Sequence, residues 1–132
     1  MQRFMGKVVL VTGAGSGIGK ASALRLAAEG GSIFCVDLNR EAVESAAAEI
    51  TAEGGVATPW VCDVGNEASV QEAVGACIKG YGSLYGVVNM AGILRFDDTE
   101  ELQTDDWQKV IDINLTGTMF LCRAALPYLV ET

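Results

Sequence analysis

A glycine-rich loop, Thr12-Gly13-Ala14-Gly15-Ser16-Gly17-Ile18-Gly19, lies between an apolar run, Lys7 to Val11, and a stretch of helical period. A strand must therefore turn sharply into a helix there. Glycine has no Cβ and tolerates positive φ, so the backbone can come close to a ligand at such a turn. The helix that follows offers unpaired N–H groups and the positive end of its dipole, which suits phosphate. The implied ligand is a dinucleotide. The loop does not fit Gly-x-Gly-x-x-Gly, because Ile18 stands three positions beyond Gly15; it reads Gly13-x-x-x-Gly17-x-Gly19. Nor is it a P-loop: Ala21 follows Gly19-Lys20 where Ser or Thr is needed, and Ala14 occupies the first glycine position, which disfavours ATP hydrolysis. The alternative is a tight turn with a purely structural role.

Short apolar runs alternate with longer helical segments along the rest of the chain. Lys7 to Val11, Ile33 to Val36, Ala57 to Cys62 and Leu84 to Val88 read as strands. Helices are expected over Lys20 to Glu29, closed by Gly30-Gly31, over Arg40 to Ala52, closed by Gly54-Gly55, and over Glu67 to Tyr81. The last helix is expected to start after Thr104, with the threonine hydroxyl as its cap and Asp105 and Asp106 in the first turn. Strands with no alternation of polar and apolar residues, each followed by a helix, predict a parallel sheet covered on both faces. Right-handed crossovers make it a doubly wound α/β sheet of Rossmann type, with ligand at the carboxyl ends of the strands.

At 132 residues, half of them apolar, the chain has the size of one domain. Nine Lys and Arg against 17 Asp and Glu give a net charge of −8, which argues against nucleic acid as a partner. A phosphate bound by backbone N–H groups needs no basic cluster, so a nucleotide ligand is still permitted. Cys35, Cys62, Cys77 and Cys122 show neither zinc nor Cys-x-x-Cys spacing, and the chain has no histidine; reduced thiols in a cytoplasmic protein are expected. The run from Val8 to Val11 is shorter than a signal-peptide core. No run approaches the roughly 20 apolar residues of a membrane span. Asp97, Asp98, Glu100 and Glu101 lack calcium-loop spacing and read as a solvated loop, with no metal expected.

Asp37 ends the second strand, 18 residues beyond Gly19 and followed by Leu38, where an acid can bond the adenosine ribose hydroxyls. A carboxylate there repels a 2′-phosphate. No arginine lies in the glycine loop, although Arg40 is near, so NAD is favoured over NADP.

Taken together, Thr12-Gly13-x-x-x-Gly17-Ile18-Gly19, Asp37, Asp63-Val64, Asn89-Met90-Ala91-Gly92 and Asn114 resemble the short-chain dehydrogenase/reductase family over essentially the whole chain. The resemblance implies hydride transfer between NAD(H) and an alcohol or carbonyl substrate. It implies cofactor contacts at Gly13, Gly15, Ser16, Gly17, Ile18, Gly19, Asp37 and Leu38. Asp63 and Val64 would lie at the adenine ring, and Asn89, Ala91 and Gly92 would line the cleft. Met90 replaces the family's usual second Asn, at the expense of a stabilising hydrogen bond. Asn114 matches the helix Asn of the family's catalytic tetrad, which kinks its helix and holds a relay water. The residue-level alternative is an Asn among Trp107, Val110 and Ile111, bonded to backbone. The sequon Asn114-Leu115-Thr116, inside a helix, is expected to be accidental.

The family's catalytic serine and Tyr-x-x-x-Lys pair have no counterpart here: Tyr81, Tyr85 and Tyr128 are followed four positions later by Tyr85, Asn89 and Thr132. The expectation is therefore the NAD-binding part of such an enzyme, truncated after the fourth βα unit with strand order 3-2-1-4 and not competent alone. The alternatives are a non-catalytic nucleotide-binding or oligomerisation module, or a half-enzyme completed by another chain. An open fourth strand and an uncovered last helix predict a homo-oligomer through one of them.

Overall fold

A computed structural model describes all of residues 1–132. Four strands, β1 (Val8–Thr12), β2 (Ser32–Asp37), β3 (Val56–Val61) and β4 (Gly86–Asn89), form one parallel sheet in the order β3-β2-β1-β4. Between them run α1 (Gly17–Ala28), α2 (Arg40–Ala52) and α3 (Glu67–Tyr81). After β4 come α4 (Thr104–Ile111), a π-helical turn (Asp112–Thr116) and α5 (Gly117–Leu129).

Successive strand residues point to opposite faces of a sheet, and both faces here are apolar. Val8 and Leu10 of β1 join Phe34 and Val36 of β2 in a core completed by Val70 and Val74 of α3 and Leu121 of α5. Val9 and Val11, alternating with them, join Ile33 and Cys35 against Ala23 and Ala27 of α1 and Val43 and Ile50 of α2. The helices thus sandwich the sheet. β1, with a neighbour on each side, is wholly buried, whereas the outer strands β3 and β4 are partly exposed.

The α2 and α3 limits agree with the sequence reading, because Asn39 and Asn66 each accept a hydrogen bond from the N–H three residues on and fix both starts. Other limits move. α1 begins at Gly17 rather than Lys20, leaving a turn of only Gly13 to Ser16, and β1 extends through Thr12. β4 starts at Gly86 rather than Leu84, which instead is fully buried beneath the sheet. Thr104 is not a cap: Gln103 precedes the helix, makes no side-chain capping bond, and turns its amide to the Glu101 carbonyl at 3.0 Å.

Near the N-terminus, Glu29 is buried between two guanidinium groups, with Arg3 at 2.5 Å and Arg25 at 2.6 Å. Their hydrogen bonds lower its carboxyl pKa to about 2, against the opposing effect of burial. This ties the first residues to the end of α1. All four cysteines are unpaired. Burial raises the Cys35 thiol to about 12 and Cys77 to about 11, so both stay protonated and unreactive in the core. No helix is long and apolar enough to cross a membrane.

Candidate functional site

The carboxyl ends of the strands converge on a recess of about 210 Å³. Gly13 and Ser16 of the first turn, Asp37 and Leu38 after β2, Asp63 and Val64 after β3, and Ala91 and Gly92 after β4 line it. Most of the residues singled out from sequence thus meet in one place. Val36, Cys62, Ile93 and Ile113 line it too, and the sequence did not single them out for this. They are apolar residues at strand and helix ends, and nothing in the sequence separates them from core. A much larger recess, about 870 Å³, opens between α1 and α2 at the other end of the sheet. Size alone does not locate the site; convergence of polar groups at the strand ends does.

The glycine loop is held by backbone. Ala14 N–H donates to the Val36 carbonyl at 3.0 Å and Gly15 N–H to Asp37 Oδ2 at 2.9 Å. Asp37 Oδ1 accepts from Asn39 N–H at 3.0 Å, so the carboxylate is anchored through both oxygens at the rim of the recess. Gly13 has φ 64°, and a Cβ there would lie 2.9 Å from the Met90 carbonyl carbon. At Gly19 a Cβ would sit 2.1 Å from the Gly13 carbonyl oxygen. The turn closes only with glycine at both positions.

At the start of α1, no acceptor in the chain reaches the N–H groups of Gly17, Ile18 and Gly19, and Ser16 makes no side-chain cap. Three unpaired donors at the positive end of a 12-residue helix, beside a solvent-exposed Ile18, form a setting for an anion. A dinucleotide fits these donors. With a volume below the roughly 300 Å³ of most ligand pockets, the recess encloses only part of one.

Thr12, 1% exposed at the end of β1, braces the segment after β4. Its Oγ1 accepts from Met90 N–H at 3.0 Å and Ala91 N–H at 3.1 Å, and donates to Asn89 Oδ1 at 3.0 Å. A hydroxyl has one proton and two lone pairs, and all are used. The segment after β4 is thereby held against the glycine loop even with Met90 in place of the family's second Asn.

Asn114 lies within the π-helical turn, where Gly117 N–H bonds back to the Asp112 carbonyl. The expected helix irregularity is present. The expected apolar face is not: Asn114 is exposed, no residue of α4 is buried, and Trp107 is 57% exposed. Its side chain is satisfied by backbone instead, with Nδ2 donating to the Ile93 carbonyl and Oδ1 accepting from Ile93 N–H, both at 2.8 Å. The acidic loop is tied down locally, with Arg95 pairing to Asp97 at 3.2 Å and Asp106 at 2.8 Å.

A family profile described as short chain dehydrogenase matches residues 7–132. The chain is 43% identical over 129 residues to D-threitol dehydrogenase of Mycolicibacterium smegmatis, covering 98% of this chain and 50% of that one. It is 39% identical to cyclohexanol dehydrogenase of an Acinetobacter species, covering 95% and 50%. A short-chain dehydrogenase/reductase structure from Burkholderia xenovorans superposes with a TM-score of 0.94 at 32% identity, covering 99% of this chain and 54% of that one. The chain spans about half the length of the curated relatives it matches. With the glycine loop, the sheet order and a family match running from Lys7 to Thr132, the chain belongs to the short-chain dehydrogenase family.

Proposed function

We propose that residues 1–132 act as one domain that binds NAD in preference to NADP, in the service of hydride transfer to or from an alcohol or carbonyl substrate. The observation that carries this reading is the row of unpaired N–H groups on Gly17, Ile18 and Gly19, at the start of the helix that directly follows Ser16, which lines the same recess as Asp37. A pyrophosphate suits the first and ribose hydroxyls suit the second. The anchored Asp37 carboxylate opposes a 2′-phosphate, and Arg40 is engaged with Glu44 at 3.5 Å. Asp63, Val64, Ala91 and Gly92 would line the adenine and nicotinamide sides. Relatives named for D-threitol and cyclohexanol support an alcohol as the substrate class. Four unpaired cysteines suit a reducing cytoplasm.

Calorimetric titration tests the assignment. NAD should bind more tightly than NADP. Asp37→Ala should weaken NAD by about 10- to 100-fold, the value of a lost charged hydrogen-bond partner, and should narrow the NAD/NADP ratio. Unchanged affinity in both Asp37→Ala and Gly13→Ala would overturn the cofactor assignment.

Residues 1–132 contain one tetrad counterpart, Asn114, and no Tyr-x-x-x-Lys. Without that acid/base pair, we expect no turnover by this stretch by itself. The reading of an associating half-site draws on a specific observation. β4 has a free outer edge, and Leu115, Leu126 and Val130 on the last helical stretch are 57–72% exposed. We propose that a second copy covers them. Light scattering should give a dimer or larger; a clean monomer at micromolar concentration would overturn this and favour completion by a different chain.

A further inference from the structure

Thr118, in the first turn of α5, has a hydroxyl that is used from two sides. Oγ1 accepts from Asn89 Nδ2 at 2.5 Å and donates to the Asn114 carbonyl at 2.9 Å. The second bond alone is the ordinary back-bond of a helical threonine. The first is not ordinary, since Asn89 comes from the end of β4 and its Oδ1 is already held by Thr12. The result is one continuous donor–acceptor run. Met90 and Ala91 N–H donate to Thr12, Thr12 to Asn89, Asn89 to Thr118, and Thr118 to Asn114. Asn114 then clasps Ile93 through both of its side-chain groups.

We propose that Thr118 is a positioning residue: it couples the glycine loop to the π-helical turn and so holds the recess wall formed by Ala91, Gly92 and Ile93. That wall is gripped at one end by Thr12 and at the other by Asn114, and Thr118 joins the two grips. Neighbouring hydrogen bonds in such a run polarise and strengthen one another, so removing the middle member loosens both ends. Where the recess takes up a dinucleotide, the inference rests on the function proposed above; the mechanical coupling itself does not.

The test is amide hydrogen exchange on the 132-residue chain carrying Thr118→Val, which keeps shape and removes the hydroxyl, and Thr118→Ser, which keeps the hydroxyl. Thr118→Val should speed exchange at Met90, Ala91 and Ile93 by about tenfold, the consequence of one lost hydrogen bond. The amides of Val9 to Val11 should be unchanged, and Thr118→Ser should restore wild-type rates. Unchanged exchange at Ile93 in Thr118→Val would overturn the proposal. So would equal acceleration throughout the sheet, which marks a general structural role, or failure of Thr118→Ser to restore. NAD titration of the same proteins should show weakening only in Thr118→Val. Absence of NAD binding by the wild type would count against the cofactor reading, with the exchange pattern still deciding the role of Thr118.

Discussion

Gly19→Ala should remove most of the chain's affinity for NAD while leaving the sheet folded. A Cβ at this position would lie 2.1 Å from the Gly13 carbonyl oxygen, 2.6 Å from its carbon and 3.1 Å from the Thr12 carbonyl oxygen. All three are backbone atoms, so no rotamer change relieves the contact. Either the end of β1 or the start of α1 must shift, and the N–H groups of Gly17 to Gly19 shift with it. Strain of this kind typically costs about 1–3 kcal/mol. Misaimed donors add to it, and an affinity loss of about 100-fold is the expected result. Gly75→Ala is the control. It lies exposed within α3 with nothing inside 4 Å of a new Cβ, and it should leave NAD affinity unchanged and raise stability by about 0.5–1 kcal/mol. Calorimetry and urea unfolding on both variants separate loop geometry from general stability. Full NAD affinity in Gly19→Ala would show that the turn does not present the cofactor.

Phe34→Ala should have the largest effect on folding. Phe34 is 2% exposed at the middle of β2. Its ring lies 5.8 Å from that of Trp60 and 6.4 Å, edge to face, from that of Tyr81. It therefore joins β2, β3 and α3, and Tyr81 extends the link through a 2.7 Å hydrogen bond to Thr58 of β3. Truncating such a ring costs about 3–5 kcal/mol through lost transfer energy and the cavity left behind. Domains of this size have about 5–15 kcal/mol in total, so the urea midpoint should fall by at least about a fifth, and further the less stable the parent is. The Tyr81 hydroxyl loses its fixed position as well. Phe34→Leu, which refills most of the volume, should recover most of the loss. A loss below about 1 kcal/mol for Phe34→Ala would show that this cluster is not a principal part of the core.

Much of this molecule is local in origin and was readable as such. A helix started by a capping Asn and stopped by glycine is determined within a dozen residues, which is why α2 and α3 have the limits read from sequence. The glycine loop and Asp37 were readable for a related reason: close approach and charge at a strand end are properties of residue type and spacing. Alternation of apolar strands with helices determined the parallel sheet and its 3-2-1-4 order followed from the family resemblance. What tertiary structure alone decided is which polar groups find each other. Thr12 meets Asn89 across 77 positions of chain and Asn89 meets Thr118 across 29, and no periodicity records such pairings. Asn114 is bound to Ile93 from an exposed position rather than on a buried apolar face, because α4 packs nothing into the core. The cap position of that helix fell to Gln103 rather than Thr104, with the helix itself starting at Thr104: with no buried face to set its register, local capping preference did not decide the boundary. Residue type and spacing thus determined which residues gather at the carboxyl ends of the strands, and the packing of β1, β4 and the π-helical turn decided how the wall of the recess there is fastened.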